Sequence, residues 1–121
     1  MKYTLLIYLD EKAFTAQPAE EQNRVHRACT AWHDELVKSG HSTGCNGLQS
    51  VDTATTLRAR HGKVVLTDGP FAETKEVLGG FELLECKDLD EALAIARRFP
   101  GLQAGCTVEV RPGVPGNTCA A

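Results

Sequence analysis

Residues 2–9 set Tyr3, Leu5, Ile7 and Leu9 on one side of an extended chain and Leu6 and Tyr8 on the other. Successive side chains of a strand point to opposite faces, so this run asks for apolar cover on both. A helix follows. Pro18 suits a first helical position, Glu20 and Glu21 make an acidic first turn, and Lys38 with Gly40 marks the end. Inside it Val25, Cys29, Trp32 and Leu36 recur at spacings of four, three and four, a stripe that faces a core.

Gly44 to Gln49 is rich in turn residues, Thr53 to Arg60 reads as a strand, and His61-Gly62 turns the chain into Lys63–Thr67, read as a buried strand. Val77 to Cys86 predicts another strand, in which Gly79 and Gly80 allow close backbone approach. Asp88 with Glu91 three residues on predicts a capped helix start. Leu89, Ala92, Leu93, Ala96 and Phe99 form its apolar face, Pro100-Gly101 stops it, and Thr107–Arg111 is a last strand. The order is β-α-β-β-α-β with an extra strand or ribbon near residues 48–60, which is the split βαβ plan of an α+β, ferredoxin-like fold. That antiparallel sheet carries both helices on one face, yet its first and fourth strands look apolar on both. A second copy of the chain, packed sheet to sheet in a two-fold homodimer, is the simplest cover. Residues 1–112 make the domain; 113–121, rich in Pro, Gly and small residues, are expected to form a flexible tail.

The 121 residues suffice for one domain that folds without metal or disulfide. Five cysteines, with no CxxC pair, suit neither a disulfide framework nor a zinc knuckle. A net charge of −3 with scattered Lys and Arg argues against direct nucleic-acid binding. The first apolar run is too short for a signal peptide, and nothing approaches a membrane span. The expected location is cytoplasmic, with reduced thiols.

Two places invite chemistry. The segment Asp68-Gly69-Pro70-Phe71-Ala72-Glu73-Thr74-Lys75-Glu76 is longer than the usual hairpin loop and sets an aromatic beside charges. Such loops on a rigid scaffold concentrate binding residues, here Phe71, Glu73 and Lys75, with Asp68 as a general acid or base. On the first helix His26, Cys29 and His33 stand at i, i+3 and i+7 and share a face. Zinc would need a fourth ligand or an open water beside them, so no metal site is assigned. A proton-transfer pair with Asp68 uses the same residues, His titrating near neutral pH. Cys29 would act as a nucleophile only with a depressed pKa. A lyase or isomerase working by positioned proton transfer demands no cofactor.

The string Val65 to Glu76 with its DGPFAETKE core, followed by Gly79-Gly80-Phe81, resembles the DGPF domain of the YCII-related family. Tyr3 to Tyr8, Gly47-Leu48-Gln49, Asp88 to Ala92 and Val108 to Pro112 extend the likeness in order over residues 1–112. The resemblance implies a ferredoxin-like subunit of a dimeric α+β barrel. It implies a His–Asp pair in a cleft as the proposed site of YCII-like members, one relative of which acts in dechlorination of a chlorinated aromatic. The acidic member falls on Asp68. The histidine position, eleven residues before the glycine that ends the helix, falls on Cys29, so either His26 or His33 substitutes or that chemistry is absent. DGPF domains also occur beside or fused to sigma factors. The function expected is therefore binding of an unknown small molecule near Asp68, with proton-transfer catalysis, or a non-catalytic regulatory module associated with sigma-factor-dependent transcription.

Overall fold

The computed structural model describes residues 1–116. In chain order its elements are β1 (Lys2–Leu9), α1 (Glu11–Thr15), α2 (Ala19–Lys38), β2 (Ser42–Gly47), β3 (Thr55–Arg60), β4 (Lys63–Asp68), β5 (Val77–Glu85), α3 (Leu89–Arg97) and β6 (Thr107–Pro112). Short 3-10 turns lie at Val51–Thr53 and Pro100–Ala104. Four strands form one antiparallel sheet in the order β2-β5-β1-β6, while β3 and β4 make a separate two-stranded ribbon. With α2 joining β1 to β2 and α3 joining β5 to β6, this is the ferredoxin-like α+β plan.

Both helices pack on one sheet face. Tyr3 and Leu5 of β1 and Leu84 of β5 meet Trp32 and Leu36 of α2 and Ala92, Ile95 and Ala96 of α3 in a single buried cluster. Leu5 and Leu84 are removed from water almost completely, each contributing about 1.5–3 kcal/mol. The Trp32 indole N–H donates to the Ile95 carbonyl at 3.2 Å, and the ring stands edge-on to Phe99 with centroids 5.0 Å apart. These two contacts tie α2 to the end of α3.

Local chemistry sets the helix ends. The Asp88 carboxylate accepts from the Glu91 N–H at 2.9 Å, and Glu91 reaches back to the Lys87 N–H at 3.1 Å. Both satisfy donors that a helix start leaves open. Pro18 is the cap of α2 rather than its first helical residue. Phe99 is buried but lies just past α3, which Arg98 closes.

Three readings of the middle of the chain change. The turn-rich stretch is the second core strand, β2, whose register shift between Ser42 and Gly44 accommodates its glycines. The extra ribbon is the β3–β4 hairpin, displaced from residues 48–60 to 55–68; its two-residue turn holds His61 and Gly62 at φ 52° and 78°, the twist that suits a tight hairpin. The strand Lys63–Thr67 is not buried: Val64, Val65 and Leu66 are 64%, 41% and 65% exposed. Residues 69–76 consequently cross from the ribbon to β5 and do not close a hairpin between partners.

The helix-free sheet face carries Leu6, Tyr8 and Phe81, all half-buried, with Leu83 exposed. Beyond β6 the Gly113 N–H still donates to the Lys2 carbonyl at 2.8 Å. Residues 117–121 of the expected tail, Cys119 among them, lie outside the described residues. Among the described residues, no helix is long and apolar enough to cross a membrane.

Candidate functional site

Between α2 and the β2–β5 side of the sheet lies a cavity of about 400 Å³. Ile7, Leu9, Phe14, Val25 and Phe99 give it an apolar lining, and Gly79 and Gly80 form part of its sheet wall. A Cβ on Gly80 would stand 3.0 Å from the Asn46 carbonyl, so glycine lets β2 lie close against β5 there. His26, Cys29 and His33 all line this space, as their shared helix face predicts. The His26 ring leans on Phe14 at 5.6 Å.

The far wall holds an acid that strand patterning did not single out. Glu82 sits on β5, opposite Leu5 on one neighbouring strand and Cys45 on the other, and is only 2% exposed. A carboxylate in such a position is tolerable only when hydrogen-bonded. His33 Nδ1 lies 2.8 Å from its Oε1 and 3.0 Å from its Oε2, and the Ser42 hydroxyl donates to Oε1. An ionised carboxylate only accepts, so in the neutral imidazole this contact selects the tautomer with its proton on Nδ1 and its lone pair on Nε2. That lone pair lies 3.6 Å from Sγ of Cys45, an exposed residue on the cavity rim. Three elements thus assemble one line: β5 anchors Glu82, α2 supplies His33, and the edge strand β2 brings Ser42 and Cys45.

Among the described residues no thiol is acidified. Burial, then the neighbouring Cys106, pushes Cys29 up, against a hydrogen bond from the Gly101 backbone. Burial and the charge of Glu82 push Cys45 up. Burial leads the same upward shift at Cys86 and Cys106. Cys29 therefore lacks the depressed pKa a standing thiolate nucleophile requires. His33, Cys45 and Glu82 offer donor atoms within 4.8 Å of one another, a mixed nitrogen, sulfur and oxygen set of the kind that holds zinc. With Nδ1 committed to Glu82, however, a cation would keep only Nε2 and Sγ from the pair unless that hydrogen bond broke.

The other singled-out residues lie elsewhere in the chain. Asp68 ends β4 opposite Thr55, is exposed, and does not line the cavity. Its neighbour Gly69 anchors the segment: its N–H donates to the Ala54 carbonyl at 2.7 Å and its carbonyl accepts from Thr56 at 2.7 Å. Phe71 is 76% exposed, with its carbonyl held by Arg58 at 3.2 Å. Glu73 is exposed, and Lys75 borders a separate depression beside Asp10 and Glu11. So the structure gathers His26, Cys29 and His33 with Glu82 and Cys45, and leaves Asp68, Phe71, Glu73 and Lys75 on or after the ribbon.

Comparison with known proteins agrees with the sequence resemblance. The family model of the YCII-related domain matches residues 1–112. An uncharacterised protein of Rhizobium meliloti strain 1021 is 41% identical over 113 residues, 93% of this chain and 91% of the relative. Among solved structures the chain is similar to the dehydrochlorinase of 5-chloro-2-hydroxyhydroquinone from Burkholderia phenoliruptrix AC1100, in complex with 2,5-dihydroxybenzoquinone. There the identity is 20%, the TM-score 0.49, and 96% of each chain is covered.

Proposed function

The chain belongs to the YCII-related family, and from that premise we propose that it binds a small, mainly apolar molecule between α2 and the sheet and moves a proton on it through His33. The observation that carries this reading is the hydrogen bond between His33 Nδ1 and the buried Glu82 at the cavity wall. A base whose tautomer and orientation are fixed by a buried carboxylate is the general arrangement of acid–base catalysis. The lining supplies ligand contact, and proton transfer by His33 asks for no cofactor. Asp68 stays outside the proton-transfer step in this reading.

A homodimer belongs to the same proposal. Leu57, Val64, Leu66 and Phe71, on or just after the ribbon, are 61%, 64%, 65% and 76% exposed, and the helix-free sheet face adds Leu83. Exposed apolar side chains on the ribbon and the sheet suit an interface between two copies. A single 13.1 kDa species by light scattering at micromolar concentration would remove the dimer.

The site is tested by thermal-shift screening of small carbonyl compounds, since a ligand of the native state raises its stability. Hits are then followed for exchange of their acidic C–H protons in heavy water. Wild-type protein should bind and exchange, His33→Gln should bind without exchanging, and Thr30→Trp, which places an indole at the cavity wall, should do neither. Exchange that survives His33→Gln would defeat the proposal.

A further inference from the structure

Cys45 gives the His33–Glu82 pair a third member. The Nδ1 side of the imidazole faces a carboxylate at 2.8 Å and the Nε2 side faces a thiol at 3.6 Å, so one ring connects a buried acid to an exposed sulfur. Nucleophile, base and orienting group stand in the sequence of roles that defines a catalytic triad, irrespective of fold or chain order. With its thiol shifted upward, Cys45 does not rest as a thiolate. It becomes nucleophilic only as its proton passes to Nε2, and the tautomer set by Glu82 keeps that lone pair ready.

Building on the acid–base reading above, we propose that Cys45 adds covalently to small apolar α,β-unsaturated carbonyl compounds held in the cavity, with His33 as base and Glu82 as positioning residue. A thiol is soft and polarizable and suits a conjugated carbon. Thr30, which also lines the cavity, lies three residues before His33 on α2, about 4.5 Å along the helix axis, and offers a hydroxyl to the electrophile's carbonyl.

The bookkeeping of the step closes without a co-reactant. The S–H proton moves to Nε2, sulfur forms a bond to the β-carbon, the alkene π pair becomes the double bond between the α-carbon and the carbonyl carbon, and the carbonyl π pair moves onto oxygen, giving an enolate. Proton return from Nε2 to the α-carbon completes the saturated adduct and restores neutral His33. The reverse elimination releases the alkene; rotation about the former double bond before release makes the cycle a cis–trans isomerisation. Nothing is oxidised or reduced overall.

The test uses benzylideneacetone as probe, with adduct formation followed by intact mass and located by peptide mapping, in chelator-treated full-length protein. Wild-type protein should be labelled at Cys45 about 100-fold faster than the folded His33→Gln variant, the scale of general-base assistance. Cys45→Ser should remove the fast label. Glu82→Gln should slow labelling and, in the ring-nitrogen NMR spectrum, move the proton of His33 from Nδ1, which a purely structural role for Glu82 would leave in place. Equal labelling rates in wild type and His33→Gln, or a fast label on Cys29, Cys86 or Cys106, overturns the triad. The saturated analogue benzylacetone separates the two readings. If it raises the melting temperature while Cys45 stays slow, the triad fails and the cavity reading stands; if it binds to Thr30→Trp as well as to wild type, the cavity reading fails.

Discussion

Replacing His33 by Phe removes the main hydrogen-bond partner of Glu82 and leaves a 2% exposed carboxylate with Ser42 as its remaining side-chain partner among the described residues. Breaking a fully buried pair costs about 3–5 kcal/mol, but the His33 side chain is 26% exposed, so water reaches the gap and part of that is recovered. Loss of a hydrogen bond to a charged group, about 1.5–3 kcal/mol, is the better measure, and a central value of roughly 2 follows. For a domain of this length, each kcal/mol moves the melting temperature by about 3–6 °C, so a fall of roughly 6–12 °C is expected. The second half of the test removes the acid as well. Glu82→Met on the His33→Phe background replaces both polar partners by apolar groups of similar volume, which is close to neutral. The double variant should return to within about 1 kcal/mol of wild type. Both proteins are followed by urea unfolding and thermal denaturation. A double variant no more stable than His33→Phe would show that the orphaned carboxylate is not the source of the loss.

Other outcomes follow from single contacts. Gly101→Ala places a Cβ within 2.6 Å of the Phe99 ring and 3.2 Å of Cys106 Sγ, so overpacking should cost about 1–3 kcal/mol in unfolding experiments. Burial holds the Cys29, Cys86 and Cys106 thiols above their ordinary value of 9.0, so the folded state keeps those protons more tightly than the unfolded state. That stabilisation is complete below the ordinary value and is lost as pH rises through the shifted ones. Unfolding free energy should therefore fall on the alkaline side, and Cys29→Ala should flatten the fall; a flat limb in the wild type would contradict the burial argument. Asp68→Asn should leave carbon-acid exchange by wild-type levels intact, and abolition of exchange would bring Asp68 into the site.

The sheet plan was legible because Tyr3, Leu5, Trp32, Leu36 and Ala92 keep strict strand or helix phase. The helix face shared by His26, Cys29 and His33 was legible for the same reason. Glu82 was not. It is in phase with Leu84 on the core side, but β5 also bears Phe81 and Leu83 on the other side, and a strand apolar on both faces hides which face an acid joins. Cys45 and Ser42 were obscured by Gly44 and Gly47, which read as turn yet occupy an edge strand that glycine lets approach β5. Val64–Leu66 misled in the opposite direction. An apolar run signals that cover is wanted, and within a single chain the ribbon has none from the main sheet.

The tautomer of His33 underlies both the proton-transfer site and the triad. Nitrogen-labelled histidine in the intact protein, with the His33 ring assigned among the four histidines by its loss in His33→Gln, reads it directly. In the neutral ring Nδ1 should carry the proton and Nε2 the lone pair. A neutral His33 carrying its proton on Nε2 would contradict it.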